Sequence, residues 1–249
     1  MRTTIATLAA AVLLAGCGGD EDPPAKRARP DATAAADPAP PPPPAPHAKK
    51  VRFRAADGKR VSAQYTAAGR NAPAVVLLHE IRGGPDQWAP LVPYLHAAGF
   101  ATLAYRSRAS IIESERLPDT LAALRWLRAR ADVDPHRLAL VGASIGASTA
   151  VLAMATGARR IVDAAVALSP PDSADIWNLQ DHDRYRPHDT LLVSDERESS
   201  SVDGILEGAV RSRAIRSSRP GHGVELLSEA RIREALLKWL AGHVRPARP

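Results

Sequence analysis

The sequence predicts an α/β fold: a doubly wound, mostly parallel sheet entered through an antiparallel hairpin, with a small cap or none. Three observations predict it. Short continuous apolar runs at residues 74–78, 101–105, 138–141, 164–168 and 191–193 read as strands buried on both faces. Helical stretches lie between them. An alternating pair of segments precedes them, and hairpin followed by strand–helix alternation is the pattern of a doubly wound sheet.

In chain order, residues 51–54 alternate, Asp57-Gly58 supplies a turn, and residues 61–65 alternate again, as a hairpin requires. After the 74–78 strand, residues 87–98 carry Trp88, Leu91, Val92 and Leu95 at helical spacing. Residues 121–127 are amphipathic, and residues 147–154 form a small-residue helix pattern. A helix is expected to begin near Val202, and residues 232–240 close the fold with Leu236, Leu237, Trp239 and Leu240 on one side. Residues 214–218 are too short and polar to read as a strand. The section 170–189 leaves room for a small lid only, with Trp177 and Tyr185 as candidate lining residues.

The pentapeptide Gly142-Ala143-Ser144-Ile145-Gly146 stands between the 138–141 strand and the 147–154 helix. Strand, G-x-S-x-G, helix is the context of a nucleophile elbow, in which the glycines allow the sharp turn that exposes a serine hydroxyl. A serine needs a base, and His222 in Gly221-His222-Gly223 lies downstream of the apolar strands and just ahead of the last helix. An acid must orient that imidazole. The loop Ser194-Asp195-Glu196-Arg197-Glu198 follows the last buried strand, so the order Ser, acid, His holds, with Asp195 and Glu198 both open as the acid. Two backbone N–H groups should hold an oxyanion: Ile145, directly after the serine, and one in the loop 79–84 after the first parallel strand.

Ahead of this domain the chain changes character. Met1-Arg2, an apolar stretch at 5–14 and Leu14-Ala15-Gly16-Cys17 read as a signal peptide over 1–16. That stretch is about half of what a bilayer crossing needs. Leu-Ala-Gly-Cys resembles the bacterial lipobox, which implies cleavage before Cys17, the one cysteine of the chain, and its lipidation. Residues 17–48, with prolines at 40–44, read as a disordered tether, on the order of 90 Å long if extended. One α/β domain is expected over 49–249, and the leader and lipobox imply an exported, membrane-anchored lipoprotein of the cell envelope.

The formal net charge is +6 and the isoelectric point about 9.9. The arginines are scattered and no basic block is interleaved with aromatics, so nucleic acid is not an expected partner. Asp181, His182, Asp183 and His188 lack a defined ligand spacing, so no metal site is expected.

With Leu78-His79-Glu80-Ile81-Arg82-Gly83, Asp132-Val133-Asp134-Pro135-His136-Arg137, the elbow and Gly221-His222-Gly223 in place, residues 49–249 resemble the α/β-hydrolases of the dienelactone-hydrolase-like branch. The resemblance implies acyl-enzyme chemistry on small esters, lactones or thioesters, without cofactor, on Ser144, His222 and Glu198. It selects Glu198 over Asp195 by register and Ile81 as the second oxyanion amide. It also implies that Glu80 can contact the resting nucleophile. Gly146-Ala147 departs from the family's Gly-Gly, which is expected to crowd the helix–strand packing. Arg82, Arg106 and Arg108 fall at strand ends, where ligands bind, and suggest a preference for acidic acyl groups. Competing readings are a non-catalytic binding lipoprotein and an envelope peptidase.

Overall fold

The computed structural model describes residues 41–108, 112–171 and 186–244. The chain divides into two units, Met1–Pro38 and Ala39–Pro249, of which the first lies outside the described residues. The expected leader, Cys17, and most of the tether fall there or beside it. So do most of the section expected to form a lid, Trp177 and Tyr185 included, and Asp181, His182 and Asp183.

Eight strands form one sheet: β1 (Lys49–Arg54), β2 (Arg60–Thr66), β3 (Ala72–Leu78), β4 (Ala101–Tyr105), β5 (Val133–Ala143), β6 (Ala164–Leu168), β7 (Thr190–Ser194) and β8 (Arg213–Arg216). Their order is β1-β2-β4-β3-β5-β6-β7-β8. The β1/β2 and β2/β4 pairs are antiparallel and all others parallel, as expected. The register sets Tyr105, Leu78, Gly142, Ala167, Leu192 and Ala214 in one row across β4, β3, β5, β6, β7 and β8. The loops that leave this row carry the candidate site.

Alternation along the strands splits the core in two. Val76, Leu78, Leu103 and Leu140 pack under α2 (Glu113–Arg128) and α3 (Ile145–Ala155). Val75, Leu77, Val141, Val166 and Val193 face Trp88, α1 (Val92–Ala97) and the last helix, α5 (Ala230–His243). A fully buried leucine or valine contributes roughly 1.5–3 kcal/mol, so the central strands are secured from both sides.

Four elements differ from expectation. The 87–98 helix is a 3-10 turn, Pro85–Trp88, followed by the short α1, because Pro90 brings no N–H to continue the ladder. Helix α2 starts eight residues earlier than expected and contains Pro118. Its polar first half is drawn inward: Arg116, Asp119 and Thr120 are buried, and Thr120 Oγ1 lies 2.8 Å from the Tyr105 hydroxyl. Strand β5 begins at Val133, five residues before the expected 138–141 run, so that Asp134, Pro135 and His136 lie on the strand. Residues 213–216 do form a strand, β8, despite their polarity, because β8 is half-buried and, among the described residues, an edge paired only with β7. The fourth described helix in chain order, α4 (Ser199–Glu207), starts three residues before Val202.

Candidate active site

Ser144 stands between β5 and α3 with φ 52° and ψ −124°, a conformation costing on the order of 1–3 kcal/mol for a residue with a Cβ. The surroundings impose it. Its N–H donates to the Leu168 carbonyl at 2.8 Å, and its own carbonyl accepts from Ala147 and Ser148 at 2.8 and 3.1 Å. The flanking glycines are sterically required. A Cβ on Gly142 would lie 2.1 Å from the Gly146 carbonyl oxygen, and one on Gly146 would lie 2.1 Å from that of Leu78. Ala147, which stands where the family has a second glycine, is fully buried and packs in a cluster with Val151, Ala167, Leu192, Val202 and Ile205.

His222 caps a 3-10 turn, Gly223–Ser228, ahead of α5. Its Nδ1 lies 2.5 Å from Glu198 Oε1. Glu198 ends the 3-10 turn Glu196–Glu198 after β7 and caps α4. A carboxylate accepting from Nδ1–H leaves Nε2 with its lone pair, the tautomer a general base needs. Ser144 Oγ makes no hydrogen bond among the described residues. Such contacts commonly tighten only when substrate is bound.

Asp195, the other acid left open by the residues alone, is occupied elsewhere. It is buried and takes Arg197 N–H at 2.9 Å and the Arg197 guanidinium at 2.5 and 2.8 Å. Those hydrogen bonds hold its carboxyl below the usual range against the opposing effect of burial.

The two expected oxyanion amides occupy matching places. Leu78 and Gly142 are register partners, and Ile81 and Ile145 each follow by three residues. Ile145 opens α3, so its N–H has no acceptor within the helix, and Ile81 N–H has none among the described residues. The loop passes close to the elbow: a Cβ on Gly146 would lie 2.9 Å from the His79 carbonyl oxygen.

Residues missed in the sequence shape that loop. His79 is buried, its Nε2 accepts from Ser107 N–H at 2.9 Å, and Nδ1 faces the Glu80 carbonyl at 2.5 Å. Burial, chiefly, lowers its pKa and keeps the ring neutral. From α2, Arg116 donates to the His79 carbonyl at 2.9 Å. The only sequence signal was the position of His79 directly after a buried strand.

Among the arginines, Arg82 is exposed and makes no hydrogen bond among the described residues. Arg106 donates to the Gly83 carbonyl at 3.3 Å and lines a groove of about 610 Å³ with Lys50, Arg52, Gln64 and Asp86. Arg108 is committed to structure: it pairs with buried Asp119 and reaches Asp57 at 2.9 Å, which raises its pKa far above the usual range. Glu80 accepts from Val224 N–H and makes no hydrogen bond to Ser144. No group of three or more metal-ligating side chains occurs among the described residues.

No family model matches the chain. An uncharacterized protein of Mycobacterium tuberculosis is 32% identical over 114 residues, covering 43% of this chain and 41% of that one. The chain thus spans less than half the length of the curated relatives it matches. Among solved structures, a dienelactone hydrolase of Anabaena variabilis superposes with a TM-score of 0.67 at 17% identity, over 81% of this chain and all of that one. An esterase of Pyrococcus furiosus superposes with a TM-score of 0.65 at 14% identity, over 80% of this chain and 92% of that one. The fold is that of the α/β-hydrolases.

Proposed function

We propose that this chain is a serine hydrolase of small carboxylic esters, lactones or thioesters, anchored to a membrane through a lipidated Cys17. The contact of His222 Nδ1 with Glu198, on a turn packed against a strained serine elbow, carries the reading. Ser144 Oγ attacks the carbonyl carbon while His222 Nε2 takes its proton. The Ile81 and Ile145 amides hold the developing oxyanion, each worth about 3 kcal/mol of barrier. Collapse of the adduct expels the alcohol or thiol, which takes the proton from His222 and leaves an acyl-serine. Water, deprotonated by the same histidine, attacks this ester and returns the enzyme and a carboxylic acid. Proton transfer through His222 contributes roughly 10²- to 10⁴-fold. The solved neighbours named above as a dienelactone hydrolase and an esterase support this reaction class.

Two finer points belong to the same reading. Arg106, whose guanidinium donates to the Gly83 carbonyl in the loop that carries the Ile81 amide, is the residue to which we assign a preference for acidic acyl groups. We read the leader, lipobox and proline-rich tether as signals for export and lipidation, with the domain held outside the cytoplasm by acyl chains on Cys17; no helix of the described residues is long and apolar enough to cross a membrane.

The deciding experiment treats residues 49–249 with a fluorophosphonate probe beside Ser144→Ala. Labelling of the parent and not of the variant supports an activated serine. A folded parent that stays unlabelled overturns it in favour of a non-catalytic binding protein.

A further inference from the structure

Four consecutive backbone N–H groups around His222 each end on a side chain. Gly221 donates to Asp195 Oδ2 at 3.1 Å, His222 to Glu225 Oε2 at 3.1 Å, Gly223 to Ser169 Oγ at 2.9 Å and Val224 to Glu80 Oε1 at 2.9 Å. Asp195, Ser169 and Glu80 stand one or two residues past the ends of β7, β6 and β3. The histidine turn is therefore tied to three strand ends in the row that also carries the elbow.

The Glu80 tie is the tightest sterically. Gly223 has φ +56°, and a Cβ there would lie 2.0 Å from Glu80 Oε1 and 3.5 Å from the Ala143 Cβ, the residue before Ser144. Glu80 also shapes the neighbouring loop through its main chain. Its carbonyl accepts from Gly83 N–H at 3.1 Å and faces His79 Nδ1, just before the Ile81 amide. One residue thus joins the oxyanion loop to the base.

We propose that Glu80 is a positioning residue that latches the His222 turn through the Val224 amide, not a group acting by charge on the nucleophile or substrate. Its kinetic consequence rests on the serine-hydrolase reading; the latch itself does not. A hydrogen-bond acceptor at the right reach is all the latch needs, so an uncharged amide of equal length serves and a shorter carboxylate does not.

The test compares Glu80→Gln, which keeps reach and loses charge, with Glu80→Asp, which keeps charge and loses reach. Amide exchange at Val224 is read beside kcat and KM on a neutral p-nitrophenyl ester. In Glu80→Asp, Val224 is expected to exchange at least ~10-fold faster through local opening. Its kcat is expected to fall roughly 10- to 100-fold with KM within about twofold, the scale of a small misplacement of a catalytic group. Glu80→Gln is expected to stay within about threefold of the parent in both readouts. Loss of kcat in Glu80→Gln, or unchanged Val224 exchange in Glu80→Asp, overturns the latch. If the parent turns over no ester, the hydrolase reading fails and exchange alone decides the latch.

Discussion

His222 Nδ1 lies 2.5 Å from Glu198 Oε1, although 24 residues separate the two, while Asp195, closer to the strand end, turns its carboxylate to Arg197 and Gly221. The two acids therefore have separable roles. Glu198→Gln offers an amide that can hold the wrong histidine tautomer and cannot stabilise an imidazolium, so kcat should fall about 10²- to 10⁴-fold with KM little changed. Asp195→Asn should instead lower the melting temperature, because Arg197 and the Gly221 amide lose a charged acceptor. Steady-state kinetics and thermal unfolding of the two variants check this; equal kcat losses at equal stability would refute the assignment.

Gly146→Ala should be among the most destabilising single-methyl additions in this fold. The added carbon would meet the Leu78 carbonyl oxygen at 2.1 Å, and a main-chain atom in a central strand cannot swing aside. A cost of 1–3 kcal/mol or more is expected from overpacking. Gly204, inside α4 with no atom of the described residues outside its own helix backbone within 4 Å of an added Cβ, is the control. There the same change should stabilise by about 0.5–1 kcal/mol. Urea denaturation of both variants measures the contrast.

The elbow and the hairpin were legible because both are written in adjacent residues: two glycines around Ser144, and alternation around Asp57-Gly58. The first half of α2 was not, since its polar residues are buried only by partners far along the chain, such as Thr120 against Tyr105. Strand β8 escaped because an edge strand open to water needs no apolar run, and Arg213–Arg216 has none. The choice between Asp195 and Glu198 depends on where a charged loop turns back. Residue types alone do not encode that, and the family register supplied it. The Glu80 contact was beyond reach for a similar reason: its acceptor role is set by an amide 144 residues away.

Arg106 and Arg108, two residues apart, should respond oppositely to truncation. Arg108→Ala strands Asp119, whose side chain is 2% exposed, without its cation, and should cost about 3 kcal/mol of stability. Arg106 is exposed and makes one long hydrogen bond among the described residues, so Arg106→Ala should leave stability within about 0.5 kcal/mol. If Arg106 holds an acidic acyl group by a charge-assisted hydrogen bond, its loss should raise KM about tenfold for anionic esters and leave neutral esters alone. Equal effects on both ester classes would remove the specificity claim.

Glu229 provides a pH test of the approach to the histidine turn. Its carboxylate accepts from Ser217 Oγ at 2.8 Å, Ser218 N–H at 3.0 Å and Arg231 Nε at 2.9 Å, joining the exit of β8 to the start of α5. Burial works to raise its pKa, but these hydrogen bonds outweigh it and bring the value down to about 2 from 4.5. With the folded pKa depressed, the unfolded chain binds the extra proton between those values, so the contribution is full above about pH 4.5 and fades as pH falls through about 2. The side chain is 11% exposed, and the linkage amounts to at most about 3 kcal/mol. Glu229→Gln should therefore be less stable than the parent at pH 7, and the gap should shrink steadily between pH 5 and pH 2. Denaturant midpoints at pH 7, 4 and 2.5 measure it. A gap as wide at pH 2.5 as at pH 7 would mean that Glu229 acts through shape and not through its charge.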